Sequence, residues 1–242
     1  MKRALIAGLV LAVSCLALPS RAGATQIFQI TLKQGANTFA ACIGGPTGCN
    51  VAANTVGDYA WQTVTGAFLD SSPQSQAAIT GIQVKRIAAG STDPLEVFLS
   101  VVDYTMPLGA MYSFATTHSA SRSQTTNQFP VDFQGWIDFN NAGWTTNPFG
   151  AGVFTNGQIT CTPTATDPGS CSVDGVPITV PGSVMFSMTT KTTVNIPQND
   201  LTSLMTLGDQ ANVSAAQGPE PVTLSLFGLG LLGLAARRRN RK

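Results

Sequence analysis

Few residues of the 242-residue chain have side chains and spacing that could carry out chemistry. The single histidine, His118, lies in a polar run and is the only imidazole available as a general base. We expect it to be an exposed loop residue. Asp132 and Asp138 share a strand face, but six residues at about 3.3 Å each set them about 20 Å apart, too far for a glycosidase pair. No G-x-S-x-G nucleophile elbow occurs in the sequence. We therefore predict no catalytic residue, with a secreted hydrolase whose carboxylates meet across strands as an alternative.

Metal ligands are equally sparse. Asp138, Asn140 and Gly143 match positions 1, 3 and 6 of an EF-hand loop, but Ala142 and Phe149 occupy positions where oxygen ligands belong. We predict no metal site and no cofactor from this pattern. A calcium site built from scattered loop oxygens stays open as an alternative.

Aromatic residues are densest between residues 129 and 154. Trp136 and Trp144 lie there beside Asp138 and Asn141, and exposed tryptophans next to amide and carboxylate groups are typical of sugar-binding β domains. The other interpretation is that both indoles complete the core between two sheets, as large aromatic side chains usually do. The sequence leaves the two interpretations open and favours the core.

Composition and charge exclude several classes of protein. Charged residues make up 10% of the chain and hydrophobic residues 43%, which does not fit a coiled coil or a charged disordered tail. Residues 25–218 contain five basic and eleven acidic residues, a net charge of −6. This stretch offers no basic stripe for phosphates, so nucleic acid is not an expected partner.

The N-terminus has the form of an export signal. Lys2 and Arg3 precede an apolar run of about 15 residues, which is shorter than the roughly 20 needed to span a bilayer. Small residues follow in an A-x-A pattern at Ala22 and Ala24. We predict a signal peptide over residues 1–24 and a mature chain that begins at Thr25. A retained membrane anchor is the alternative.

The C-terminus has three parts in a fixed order. Pro219, Glu220 and Pro221 form an extended stop, because the prolines fix φ and lack a backbone N–H. An apolar span over residues 222–236 follows, about 22 Å long as a helix against a hydrocarbon core of about 30 Å. The chain then ends in a basic cluster: Arg237, Arg238, Arg239, Arg241 and Lys242. A span this short fits a segment that is removed, and a permanent tail anchor is the alternative.

These three parts together resemble the PEP-CTERM sorting domain, which occurs on exported proteins of exopolysaccharide-producing Gram-negative bacteria. The resemblance covers residues 219–242, about a tenth of the chain. It implies transient anchoring in the inner membrane and processing near the Pro-Glu-Pro by an exosortase-like membrane enzyme. It implies nothing about residues 25–208, because unrelated domains carry the same tail.

The middle of the chain alternates apolar and polar residues with period 2, as β-strands do. Leu95–Val102 is apolar on both faces and is predicted to be a central strand. About eight strands and one short helix over Leu201–Leu207 indicate an all-β fold, an antiparallel sandwich or jelly-roll-like domain over residues 25–208. Residues 209–218 are small and polar and are predicted to be a flexible linker.

Four cysteines remain after loss of the signal peptide: Cys42, Cys49, Cys161 and Cys171. An even number in an oxidising compartment indicates disulfides, and four cysteines permit three connectivities. We favour the local pairs, 42 with 49 and 161 with 171, since turn residues lie within both loops.

The sequence thus favours an exported, non-enzymatic protein of the cell surface or extracellular matrix, sorted by an exosortase-type system and associated with exopolysaccharide. Two alternatives come from other classes: a carbohydrate-binding module that uses residues 129–154, and the secreted hydrolase above.

Overall fold

The computed structural model describes residues 26–44, 49–62, 64–107, 109–123, 128–142, 152–164, 169–183 and 185–216. Every regular element in these ranges is a β-strand, fifteen in all. The strands are β1 (Ile27–Gln34), β2 (Asn37–Gly44), β3 (Cys49–Val51), β4 (Asn54–Val56), β5 (Tyr59–Trp61), β6 (Val64–Asp70), β7 (Gln74–Arg86), β8 (Leu95–Tyr104), β9 (Met111–Ser123), β10 (Val131–Asp138), β11 (Val153–Cys161), β12 (Gly169–Asp174), β13 (Ile178–Pro181), β14 (Phe186–Val194) and β15 (Leu204–Ala215).

The strands form two antiparallel sheets that pack as a sandwich. Sheet A has six strands in the order β11-β10-β14-β8-β1-β2. Sheet B has nine; its main path is β12-β9-β15-β7-β5-β4, with β13 paired to β9 and β6 paired to β7 and β3. The all-β sandwich predicted from the sequence is confirmed, with more strands than the eight that alternation alone resolves.

Strand β8 shows how local sequence sets position. Its run from Leu95 to Val102 is apolar on both faces, and it lies inside sheet A between β14 and β1. Phe98 is buried on the outer face of this strand, while Val97 and Leu99 point into the sandwich. Burial from both sides is the physical reason for the unbroken apolar run.

The core lies between the sheets and is built by alternation. On strands such as β1 and β8 every second side chain enters one hydrophobic cluster. Aromatic rings fill one end of this cluster, where Phe186 lies 5.3 Å from Tyr104 and 5.4 Å from Tyr112 between ring centroids. Contacts of this kind join the two sheets, because Phe186 and Tyr104 belong to sheet A and Tyr112 to sheet B.

The C-terminal part of the domain differs from the prediction. The helix expected over Leu201–Leu207 is not formed, and the flexible linker expected from residue 209 begins inside a strand. Strand β15 runs instead from Leu204 to Ala215 between β7 and β9. The small polar residues that suggested a linker alternate strictly between buried and half-buried over Leu204–Val213, and a ladder on both sides satisfies their backbone groups.

A bulge bends sheet B in the middle. Between β15 and β7 the register shifts, so that Thr80 and Gly81 together oppose Gly208. Gly81 has φ +73°, a left-handed conformation that glycine adopts without strain, as a bulge of this type requires. The bulge increases the local twist of the sheet.

One disulfide joins the edges of the two sheets. Cys161 ends β11, the edge strand of sheet A, and Cys171 lies in β12, the edge strand of sheet B, with their Cα atoms 5.9 Å apart. This pair agrees with the local pairing that the sequence favours. The side chains of Cys42 and Cys49 lie outside the described part of the structure.

Both described chain ends lie at one end of the sandwich, which we call the exit pole. It is formed by the first residues of β1, β7, β9 and β14 and the last residues of β6, β8, β10 and β15. The Gln26 side-chain amide donates to Asp70 there at 2.7 Å, and the Ala216 amide donates to the Met111 carbonyl at 3.0 Å. The described ranges contain no helix of the length and hydropathy that a membrane span needs.

Candidate functional site

The outer face of sheet B carries a groove of about 710 Å³. Four neighbouring strands line it: β7, β15, β9 and β12. Most of the side chains that point outward along it are polar or absent, with Ala78 as an apolar one; the others are Thr80, Gly81, Thr117, Ser119, Ser121, Ser170, Ser172, Thr206, Gly208 and Gln210. We call this surface the hydroxyl groove.

Strand alternation creates the groove. On β9, Thr117 and Ser119 are exposed while His118 and Ala120 between them are buried. Strands β12 and β15 repeat the pattern, with Ser170 and Ser172 exposed on the edge strand. Because none of these outward side chains is large, the surface along the bulge stays hollow rather than filled.

Glycine 208 keeps the middle of the groove open. A Cβ atom on Gly208 would lie 2.8 Å from the Ser119 hydroxyl, closer than real Cβ contacts. On the adjacent strand, a Cβ on Gly81 would meet no atom within 4 Å. The floor of the groove therefore depends on glycine for close approach at one position and for backbone conformation at the other.

The described residues place no charged side chain on the outer surface of the groove. Among the described residues that line it, His118 and Asp209 are the titratable ones, and their side chains are buried, 0% and 2% exposed, on the inner side of the sheet. The remaining lining offers hydroxyl, amide and backbone groups, which donate and accept hydrogen bonds without charge. Such a surface suits a neutral polar ligand better than an anion or a cation.

His118 and Asp209 form a polar network beneath the groove. His118 Nδ1 lies 2.9 Å from Asp209 Oδ1, and the Thr192 hydroxyl donates to the other carboxylate oxygen. The imidazole ring stacks on Phe133 with 4.7 Å between centroids. The expectation of an exposed loop histidine is wrong, because residues 111–123 form one continuous strand whose alternation turns position 118 inward.

A second buried network lies at the end of the sandwich opposite the exit pole. The Arg86 side chain is fully buried, donates to the Ile196 and Ala88 carbonyls at 2.7 and 2.9 Å, and lies 3.3 Å from Asp58. The hydrogen bond donated by the Ser91 amide, with a smaller contribution from Arg86, lowers the pKa of Asp58 below its usual 3.8. Arg86 thus satisfies buried backbone carbonyls, which is a structural role.

The predicted aromatic platform is not an exposed surface in the described part of the chain. Trp136 is 3% exposed, lies on the outer face of sheet A rather than in the core between the sheets, and has the Lys191 ammonium 6.0 Å from its ring. Asp138 accepts from the amides of residues 140 and 142. Asn141 bonds the backbone and side chain of Asp103. Trp144 lies outside the described residues.

The terminal predictions also lie outside the described residues. This applies to Ala22, Ala24 and Thr25 at the signal junction, to Pro219, Glu220 and Pro221, and to Arg237, Arg238, Arg239, Arg241 and Lys242. Within the described ranges no group of three His, Cys, Asp or Glu side chains could hold a metal ion.

Sequence reasoning missed the hydroxyl groove, although a signal for it exists. Ser119 and Ser121 alternate on β9, and Ser170 and Ser172 alternate on β12. Two short stretches with a hydroxyl at every second position indicate a polar strand face. What the sequence does not contain is their pairing, since β12 and β9 adjoin only in the folded sheet.

Comparison with solved structures finds distant likenesses. The adhesin domain of Epf from Streptococcus pyogenes is 12% identical, with a TM-score of 0.32 over 77% of this chain and 57% of that one. The N-terminal CBM22-1–CBM22-2 tandem domain of Paenibacillus barcinonensis Xyn10C is 9% identical, with a TM-score of 0.31 over 82% and 75%. This chain thus spans little more than half of the Epf domain, and likenesses this weak do not extend to ligands or residue roles.

Comparison with family models and with curated sequences concerns the tail. No curated protein matches the chain. Residues 219–239 match the PEP-CTERM protein-sorting motif, as the order of tripeptide, apolar span and arginines predicts. The motif indicates export and a membrane-associated sorting signal, and it implies processing by exosortase, a membrane enzyme. The chain is therefore a β-sandwich protein that carries a PEP-CTERM sorting motif at its C-terminus.

Proposed function

We propose that this protein is a non-enzymatic component of the cell surface or extracellular matrix that holds an extracellular polysaccharide in the hydroxyl groove. The observation that carries the proposal is the groove itself, about 710 Å³ in volume, neutral and lined by outward hydroxyls on four strands. The sorting motif at residues 219–239 supports the proposal, because it indicates export and a membrane-associated sorting signal.

The shape of the groove supports a chain-like ligand. It crosses neighbouring strands instead of closing into a pocket, so a polymer can lie across it without presenting an end. Sugar hydroxyls can exchange hydrogen bonds with Ser119, Ser170 and Gln210, each of which lines the groove. Bridging waters would extend these contacts, as they do in other polar interfaces.

The charge of the groove indicates which polysaccharide it suits. No Lys or Arg is among the described residues that line it, so a uronate or sulfated polymer would find no cation there to offset its charge. A neutral glycan needs no such cation to bind. We therefore expect preference for an uncharged polysaccharide, with each hydrogen bond to the groove contributing only about 0.5 to 1.5 kcal/mol net. Many weak contacts along one polymer suit a matrix protein.

Affinity electrophoresis tests the proposal. The mature protein from the cell surface is run through gels that contain the producer's own extracellular polysaccharide, a neutral polysaccharide or an acidic one. Ser119→Tyr places a large ring in the groove at an exposed strand position. We expect it to weaken retention in the neutral gel by about tenfold or more, which corresponds to about 1.4 kcal/mol.

The matched control is Thr38→Tyr, the same side chain at an exposed position of strand β2 in sheet A. It should leave retention unchanged. Equal retention of the Ser119→Tyr and Thr38→Tyr variants would exclude the groove as the binding surface. Hydrolysis of the polysaccharide during the run, detected as released reducing ends, would contradict the non-enzymatic part of the proposal.

A further inference from the structure

The sandwich ends close to its sorting motif. Strand β15 is hydrogen-bonded on both sides up to its last residues, and the Ala216 amide still donates to the Met111 carbonyl at 3.0 Å. The motif begins at residue 219. Three Cα–Cα steps separate residues 216 and 219, so the covalent chain can extend about 11 Å at most between them. An enzyme that binds the motif must therefore approach the exit pole closely.

The exit pole presents apolar side chains to that approach. Ile27, Ile43, Leu69 and Met111 are 46%, 72%, 50% and 44% exposed, each at or near a strand end on this pole. Within the described residues, seven large hydrophobic side chains are exposed, and these four lie at this end of the sandwich, Ile27 and Ile43 on sheet A and Leu69 and Met111 on sheet B. Met111 also accepts the hydrogen bond from Ala216, so the apolar group adjoins the point where the chain leaves the domain.

The charge of the exit pole indicates what kind of surface it meets. The five lysine and arginine residues between positions 25 and 218 are Lys33, Lys85, Arg86, Arg122 and Lys191, and their strand pairings place none of them at this pole. Its carboxylates are engaged with neighbouring polar groups: Asp70 accepts from the amides of residues 105 and 106, and Asp103 from Asn141. Anionic lipid headgroups attract basic segments, which this pole lacks.

We propose that the exit pole is a docking surface for the membrane enzyme that processes the tail, with Ile27, Ile43, Leu69 and Met111 as its contact residues. The inference rests on exosortase-type processing at residues 219–239, which the sorting motif implies. Docking of the folded domain and binding of the motif then act as two linked contacts, and the short connection between them keeps the local concentration of the motif high. Folding of the sandwich thereby contributes to recognition of its own tail.

Pulse-chase measurement of tail removal in the producing cell tests the proposal on the full chain. We expect Leu69→Lys and Met111→Lys each to slow processing by about fivefold or more, as loss of a central contact does. The matched controls are Ile87→Lys and Leu201→Lys, whose parent residues are 43% and 46% exposed and lie toward the opposite end of the sandwich. These should be processed at the wild-type rate. Equal rates for all four variants would overturn the proposal.

A spacer inserted before the motif distinguishes an exit pole that docks the enzyme from one that obstructs it. Eight Gly and Ser residues inserted after Ala216 lower the effective concentration of the motif if the pole docks, so processing should slow several-fold. An unchanged or faster rate overturns the proposal, since the folded pole would then be neutral or an obstacle. Thermal unfolding of each variant shows whether the sandwich is intact, and Leu69→Gln repeats the test without a new charge if a lysine variant unfolds.

Two further measurements separate this inference from its premise. Glu220→Ala should stop processing altogether; if it does not, exosortase-type sorting itself is wrong, independent of the pole. If Glu220→Ala stops processing while the Leu69 and Met111 variants are processed as wild type, exosortase-type sorting is supported and only the docking proposal is wrong. The mature protein can also be tested for binding to phosphatidylglycerol vesicles. If it binds and the Leu69→Lys variant does not, the exit pole contacts lipid, and the proposal that it docks the enzyme is overturned.

Discussion

His118 Nδ1 and Asp209 Oδ1 lie 2.9 Å apart in the interior of the sandwich, on the neighbouring strands β9 and β15 of sheet B. Thr192 of sheet A bonds the second oxygen of the same carboxylate, so one acidic side chain links both sheets. The remaining imidazole nitrogen, Nε2, has no hydrogen-bond partner within the described structure. This buried polar network lies directly under the hydroxyl groove.

Asp209→Ala should destabilise the domain by about 3 to 5 kcal/mol, because it leaves a buried imidazole and a buried hydroxyl without their shared acceptor. Chemical denaturation with the wild-type protein alongside measures the change in free energy of unfolding. Asp174→Asn, at an exposed position of β12, is the control and should stay within about 0.5 kcal/mol of wild type. A stable Asp209→Ala variant would show that the network contributes nothing.

The Asp58 carboxylate should contribute to stability in a pH-dependent way. The Ser91 amide and Arg86 lower its pKa below 3.8, so its stabilising effect is complete above that value and is lost as the pH falls through the lower, folded-state pKa. The difference in unfolding free energy between wild type and Asp58→Asn should therefore be constant from pH 7 to about pH 5 and shrink below pH 3.8. A difference that grows on acidification would contradict this assignment.

Trp136→Ala should cost about 3 to 5 kcal/mol, since the indole is 3% exposed and its loss leaves a cavity on sheet A. Val176→Ala provides a comparison at a side chain that is 70% exposed and should change stability by less than about 0.5 kcal/mol. Equilibrium unfolding measures both. A fully stable Trp136→Ala variant that no longer binds the producer's polysaccharide would favour the aromatic platform over the hydroxyl groove.

The four cysteines of the mature chain should contain no free thiol. Alkylation without prior reduction is expected to label none of Cys42, Cys49, Cys161 and Cys171, and mass spectrometry detects any label. Replacing Cys161 and Cys171 together by alanine should lower stability by about 2 to 3 kcal/mol, because the disulfide closes a short loop between the edges of the two sheets. Stoichiometric labelling of the native protein would refute the pairing.

The mature protein should lack both terminal segments. Intact-mass measurement of material from the cell surface should give a chain that begins at Thr25 and has lost the basic residues from Arg237 onward. Recovery of the full-length tail from the surface would rule out processing, and recovery of residues 1–24 would indicate a retained N-terminal anchor.

The sequence alone determined the features that depend on local order. Period-2 alternation identified the strands around Phe133 and Met188, because a sheet with one buried face imposes that spacing on each strand separately. The sorting motif is also local: its tripeptide, apolar span and arginines can be identified in the linear sequence. The short loop between Cys161 and Cys171 favoured their pairing among three connectivities, and the structure contains that bond.

The tertiary structure decided everything that depends on which strands become neighbours. Leu201, Leu204 and Met205 lie at helical spacing and small polar side chains follow them, yet residues 204–215 form a strand because β7 and β9 provide ladders on both sides. The same pairing buries His118 against Asp209 and lines up serines from β9 and β12 across one face. These contacts join residues far apart in the chain, and period 2 specifies which face a residue occupies but not which strand lies beside it.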